Sequence, residues 1–213
     1  MNHPTVSLVV AAVLGAAALP SLAQDNTVMV GVTRYTTDSQ SSGIRGIGVP
    51  PGADAETGDA TTAILVYERA LTPRIGAELV LGIPPRIKAR ATGSVAFLGN
   101  DVLSAKNVAP TAFVKYYFTD PDSTWRPYVG AGINFTRFVG IRSSLAPRVQ
   151  MKDSVGWALQ AGLAYAIDKR WGLFGSVTKL KVETDLVAVG ATVLTTTIDF
   201  RPVTYSFGAY YRF

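Results

Sequence analysis

Few residues in this chain belong to the types that carry covalent chemistry. There is one histidine, His3, and no cysteine. His3 stands at the edge of an apolar N-terminal run, so the remainder offers no imidazole base for a serine and no thiol nucleophile. The paired carboxylates Asp120 and Asp122 lie in TDPDST, where turn chemistry is a sufficient explanation. Asp54, Glu56 and Asp59 could meet a hard cation, yet their spacing fits no calcium loop. These absences point away from an enzyme, and no metal or cofactor is expected. Four charges in apolar surroundings remain: Glu68, Glu78, Lys115 and Arg212. Their chemistry is mutual pairing, and it requires elements that bring them to one place.

Residues 5–19, TVSLVVAAVLGAAAL, form the only long apolar run, followed by Pro20 and Ser21-Leu22-Ala23. An apolar stretch ending in a small-x-small site is the pattern of a secretory signal, expected to be cut after Ala23. It falls short of the roughly 20 residues that a membrane-spanning helix needs. After it, 24–213 is expected to form one domain with no disulfide, although 48% of the chain is hydrophobic. That apolar content must be distributed by alternation.

From Val155 to Ile167 the odd positions are all apolar or aromatic and the even ones are small or polar. From Val203 to Phe213 the pattern recurs, with Tyr205, Phe207, Tyr211 and Phe213 against Thr204, Ser206, Gly208 and Arg212. Period two over eleven or more residues means strand, and strands of soluble domains average about 5 or 6 residues. A tilted membrane strand takes roughly 9 to 11.

Turn signals delimit strands at 27–36, 60–70, 73–83, 108–118, 125–138, 152–167, 170–183 and 195–213. The connections alternate between short turns and longer segments at 37–59, 84–107, 139–151 and 184–194, rich in Gly, Pro, Ser or charge. An even number of strands with short turns at one end and long loops at the other describes an all-β, eight-stranded antiparallel transmembrane barrel, an up-and-down meander of the bacterial outer membrane. Both termini would then be periplasmic and the long loops extracellular. Phe118, Trp125, Tyr165, Trp171, Tyr211 and Phe213 all fall near the short turns, where an interfacial aromatic girdle belongs. The last strand would close the ring against the first, with Tyr211 and Phe213 at the lipid interface in the form of a signal for barrel-assembly machinery.

Several stretches carry a family likeness: 74-RIGAELVLGIPPRIKA-89, 109-APTAFVKYYF-118, 126-RPYVGAGINFTRF-138, 152-KDSVGWALQAGLAY-165 and 211-YRF-213. In this order and spacing the chain resembles the OmpW family of eight-stranded outer-membrane barrels, which includes the AlkL-type proteins. It departs where family members often carry Trp directly after the Lys-Asp-(Ser/Lys) triplet, because Val155 stands there and Trp157 comes two residues later. The resemblance implies uptake of small hydrophobic molecules through an apolar lumen, with exit sideways through the wall.

The residues themselves bear on that expectation. Eight strands enclose an interior just wide enough for side chains or one small ligand, which excludes a porin-like water channel. By parity Glu68, Glu78, Lys115 and Arg212 point inward near the periplasmic ends, and a Glu78–Lys115 ion pair would help close the floor as a charge plug. Higher up, Ile64, Val66, Val80, Phe113, Phe138, Phe174 and Leu180 would line an apolar pocket. The same residues serve equally as plain core filling. Gly130, Gly132 and Ile83-Pro84-Pro85 are candidates for a weakened wall, or simply for strand curvature and a loop boundary. In the loops, Arg86, Lys88, Arg90, Arg142 and Arg148 would face lipopolysaccharide phosphate, and the net charge of +5 suits an anionic surface rather than nucleic acid in an exported chain. A non-transporting structural or receptor barrel, bound by phage or toxin, is the other reading.

Overall fold

The computed structural model describes residues 26–36, 39–41, 45–46, 49–100, 102–144, 148–189 and 193–213. The expected signal at 1–23 lies outside the described residues. In chain order the strands are β1 (Asn26–Thr36), β2 (Ser39–Ser41), β3 (Arg45–Gly46), β4 (Ala53–Thr57), β5 (Ala60–Ala70), β6 (Ile75–Gly82), β7 (Arg86–Gly93) and β8 (Leu103–Val108). They continue as β9 (Thr111–Tyr117), β10 (Trp125–Ser143), β11 (Arg148–Met151), β12 (Ser154–Ala166), β13 (Trp171–Leu180), β14 (Val182–Val189), β15 (Val193–Phe200) and β16 (Val203–Arg212).

Eight of these close a ring. The ladder runs β12-β13-β16-β1-β5-β6-β9-β10, and β10 pairs back with β12, all antiparallel. The closing pair sets Thr27 opposite Arg212 and Thr36 opposite Val203. The chain ends are also held together, Asn26 N donating to Phe213 O at 3.2 Å and Phe213 N to Asn26 O at 2.8 Å. Ring closure leaves no edge strand, the condition for satisfying backbone groups in hydrocarbon.

Alternation decides the faces. On β16, Tyr205 and Phe207 are exposed while Thr204 and Tyr210 are buried; on β12, Val155, Trp157 and Leu159 are exposed while Ser154 and Ala158 are buried. With Val30, Val32, Leu65, Leu81, Val114, Val129, Ile133 and Val177 these outward side chains make a continuous apolar band. Aromatics collect at the short-turn end, where Trp125 packs on Tyr165 at 4.6 Å between ring centres and Trp171 on Tyr211 at 4.9 Å. No helix among the described residues is long and apolar enough to cross a membrane.

The long connections differ from plain loops: they are largely strand. Beyond the barrel, β10 leaves β9 and β12 and pairs with β8, which pairs with β7 and then β4. On the opposite side β11, β14, β15 and β2 form a second sheet, with β3 also on β15. The ring therefore continues upward as two flaps, one of four strands (β4, β7, β8 and β10) and one of five (β2, β3, β11, β14 and β15). The expected strand 195–213 is two strands, interrupted at Arg201-Pro202, and 170–183 is likewise divided between β13 and β14 at Lys181. Proline cannot donate to a ladder, so a break there is cheap. At its turn from barrel to flap β10 carries a bulge between Val139 and Arg142, with Gly140 at φ +61 supplying the left-handed conformation.

Candidate functional site

The floor of the lumen is a buried ion cluster built across four adjacent strands. Glu68 on β5 is directly opposite Glu78 on β6, an unfavourable pairing on its own. Lys115 on β9 resolves it, its Nζ donating to Glu68 Oε2 at 2.7 Å and to Glu78 Oε2 at 2.8 Å. Lys115 is in register with Gly76, so Glu68 must reach over β6 to meet it. A Cβ on Gly76 would stand 2.7 Å from Glu68 Oε1, which shows that the missing side chain is the passage. On the far side Gly130 of β10 leaves 3.2 Å between its Cβ position and Lys115 Cγ. Lys115, Glu68 and Glu78 are 1%, 6% and 5% exposed, so the charges compensate one another rather than water doing so.

Aromatic side chains complete the cluster. Tyr117 Oη donates to Glu68, 2.7 Å from Oε1, and the Tyr128 ring lies under Lys115 Nζ at 3.8 Å from its centre. Arg126 stacks on the Tyr117 ring at 4.0 Å from its centre and donates from Nη2 to Pro73 O at 3.2 Å. Gln160 stands beside Glu78. Glu78 Oε1 and Gln160 Oε1 both lack a partner, and turning the amide to present its Nε2 would serve Glu78.

Three of the four expected plug residues thus come together. Arg212 does not join them; it lies nearer the short-turn end with its guanidinium 5.9 Å from the Tyr210 ring centre. Tyr117, Tyr128 and Arg126 were not singled out from the sequence, although each is at an even step from Lys115 or Gly130 on its strand and so shares their inward parity.

Above the floor, Ile64, Val66 and Phe174 cluster with Met29 and Tyr210, while Phe113 and Leu180 cluster with Ala158; Val80 touches both groups. Phe138, expected in the same pocket, does not border it. It lies beyond the barrel, packing with Leu103 against Val149, Met151, Val182 and Leu186, where the two flaps meet. The shift of β10 from β9 to β8 at Arg137 carries it there.

The lumen is also less apolar than expected. Its cavity, about 50 Å³, is bordered by Ile64, Val66, Val80, Phe113, Phe174 and Leu180, but equally by Thr33, Thr111, Asn134, Ser176, Thr178, Thr204 and Ser206. Asn134 Nδ2 donates to Thr111 Oγ1 at 2.7 Å, Thr136 Oγ1 to Asn134 Oδ1 at 2.6 Å, and Ser206 Oγ to Thr33 Oγ1 at 2.9 Å. Hydroxyls that satisfy one another can be buried at little cost, so they alternate with the aliphatic residues.

Gly130 and Gly132 do not weaken the wall. Gly130 pairs with both Lys115 and Gln160, and Gly132 with both Phe113 and Ala158. A Cβ on Gly132 would come within 2.7 Å of Phe113 Cδ1 and still closer to Ala112 O. Gly162 likewise makes room for the Tyr128 ring and Gly208 for Phe174. Glu68, Lys115, Phe113, Tyr128, Phe174 and Tyr210 thus each lie across a glycine of a neighbouring strand, which helps so narrow a ring accommodate them. Among the described residues the wall loses its ladder in two places. β10 and β12 separate beyond Thr136 and Ser154, and β1 and β5 beyond Tyr35 and Ala60.

A closed eight-stranded ring with an apolar outer band and a filled, plugged interior defines a small membrane-spanning β-barrel. Comparison with known proteins agrees: the model of the OmpW family matches residues 25–213. Outer membrane protein W of Escherichia coli (strain K12) is 33% identical over 159 residues, 70% of this chain and 71% of that one. The dibenzothiophene metabolism operon protein PahQ of Pseudomonas aeruginosa is 24% identical over 170 residues, 79% of each chain. Among solved structures, the outer membrane protein OprG from Pseudomonas aeruginosa superposes with a TM-score of 0.82, covering 90% of this chain and 96% of that one at 24% identity. The chain belongs to the OmpW family of non-enzymatic outer-membrane barrels.

Proposed function

We propose that the protein admits small hydrophobic molecules at the flap end of the barrel and releases them sideways into the membrane, with the short-turn end and both termini in the periplasm. The observation that carries this reading is the contrast between floor and wall. An apolar solute descending the lumen meets the Glu68–Lys115–Glu78 cluster and would have to separate buried charges to continue. The wall above Thr136 is open to parting, because no ladder joins the two flaps there among the described residues. The name of the relative PahQ, drawn from dibenzothiophene metabolism, supports a flat apolar solute as the class. A cavity of about 50 Å³ is far below the roughly 300–1,000 Å³ of ordinary ligand pockets, so entry requires the Phe138–Leu186 contact between the flaps to open. Tyr211 and Phe213 are read as the assembly-machinery signal.

The small cavity also favours a second reading, a sealed barrel serving as a surface receptor or structural element. Uptake of a radiolabelled alkane or aromatic hydrocarbon by cells lacking the protein separates the two. Wild type should restore uptake, and filling the cavity with Ser176→Trp and Thr204→Trp should abolish it, once both proteins run as folded barrels on unheated gels. Failure of the wild type to restore uptake would move the assignment to the receptor reading.

A further inference from the structure

We infer that the outward face of the β4-β7-β8-β10 flap is a docking surface for a phosphorylated lipid headgroup, that of the bisphosphorylated glucosamine lipid of the outer leaflet. The inference rests on the orientation proposed above but not on transport.

Along three neighbouring columns the outer surface changes from apolar to cationic at one height. On β6 and β7, exposed Leu81 and Ile83 give way to Arg86 and Lys88. On β10, exposed Val129 and Ile133 give way to Arg137 and Arg142, and between them β8 presents Lys106. Arg86 is directly opposite Lys106, while Lys88 and Arg142 flank Ser104 from its two sides. With strands about 4.8 Å apart, these cations fall within about 10 Å across β8. Like charges directly opposite each other are destabilising in a sheet.

Elsewhere at this height several cations are matched by acids, and at the margin of the patch Arg137 approaches Asp153 at 3.9 Å. Arg34 pairs with Asp59 at 3.2 Å, Arg90 with Glu56 at 2.7 Å, and Lys181 approaches Glu183 at 3.9 Å. Among the described residues no carboxylate pairs with Arg86, Lys106 or Arg142. Their repulsion is relieved by an anion that spans them, and the apolar band directly below supplies the surface for its acyl chains. Arginine and lysine together suit a phosphate, by forked and point-charge contacts respectively. A lipid with two phosphates at the membrane surface meets both requirements. Arg90, expected from sequence to face the same lipid, is engaged by Glu56 instead.

The test is lipid retention by the purified full-length barrel, followed by native mass spectrometry. Its arms are bisphosphorylated lipid A, the same lipid dephosphorylated, phosphatidylglycerol and inorganic phosphate. The variant R86Q/K106Q/R142Q should bind bisphosphorylated lipid A about 100-fold more weakly, at about fivefold per surface cation. The variant R34Q/R90Q/K181Q, which removes the same charge from acid-paired positions, should stay within about threefold of wild type. Equal losses in the two triples, or none in the first, would overturn the site. So would equal retention of the dephosphorylated lipid, or displacement by inorganic phosphate at matched concentration. Preference for phosphatidylglycerol, lost in the first triple, would overturn the outer-leaflet assignment and the orientation, whereas the uptake assay tests transport separately.

Discussion

In the lower barrel every strand lies between two hydrogen-bonded neighbours, whereas beyond Thr136 β10 exchanges β9 and β12 for β8 alone, and the ring becomes two flaps. The interiors differ in the same way. Below, charges, tyrosines and glycines interlock; above, the flaps touch through Leu103, Phe138, Val149, Met151, Val182 and Leu186. The reason is the solvent. A strand in hydrocarbon cannot leave an edge, while one in water can, so cooperativity is enforced only where the apolar band runs. Mutations below should act on the whole barrel, and mutations above on the flaps alone.

The largest effect that distinguishes the regions is expected from Lys115→Met, which strands two buried carboxylates and should lower unfolding stability by about 3–5 kcal/mol in urea titrations of the lipid-reconstituted barrel. Combining it with Glu68→Gln and Glu78→Gln should recover most of the loss; a triple variant as unstable as the single one would show that the cluster is not a compensated unit. Gly132→Val comes next, at about 3 kcal/mol, since a side chain there collides with Phe113 and the β9 backbone. Leu186→Ala should cost about 2 kcal/mol locally. Its signature is faster proteolysis of the flaps with global urea unfolding unchanged, and a matching fall in global stability would erase the distinction between the regions. Arg90 and Glu56 should couple by only about 0.2–1 kcal/mol in a double-mutant cycle, as expected for an exposed pair.

The smallest effect belongs to the turn between β12 and β13. Asp168 Oδ1 accepts the N–H groups of Trp171 and Arg170, each at 2.7 Å, and these bonds hold its carboxyl below the ordinary value. A carboxyl depressed by folding contributes stability that is fully present above its unfolded value, about 3.9, and is lost as pH falls through the folded one. Acid unfolding profiles of wild type and Asp168→Asn should therefore diverge above that window and converge below it.

Much of this architecture was legible because period two is a strong signal when one face meets lipid. Val155–Ile167 and Val203–Phe213 revealed their outward residues at once, and parity pointed Glu68, Glu78 and Lys115 inward, where all three are buried. The same rule could not find the flaps, since strands that leave the hydrocarbon lose the lipid-facing residues that make alternation visible. Phe138 was misplaced for that reason: its parity is right, but its strand has already changed partners. For Gly130 and Gly132 the sequence left a weakened wall and strand curvature both open, because a glycine's role is hidden until the side chain lying across it is known. Hydroxyls such as Thr33, Thr178 and Ser206 were passed over in favour of aliphatic neighbours, although both kinds border the cavity.

The pairing of β1 with β16 also has a kinetic side. Every other contact in the ring joins segments nearby in the chain, but Thr27 must find Arg212 across nearly the whole sequence. Loop-closure entropy rises only as about (3/2)RT ln n, so the thermodynamic cost of that distance is modest. Its weight falls on rate, because contacts of long sequence separation slow folding. Until that pairing forms, the open ladder has two free edges, β1 beside β5 at one end and β16 beside β13 at the other, and either could take up a strand of a second chain.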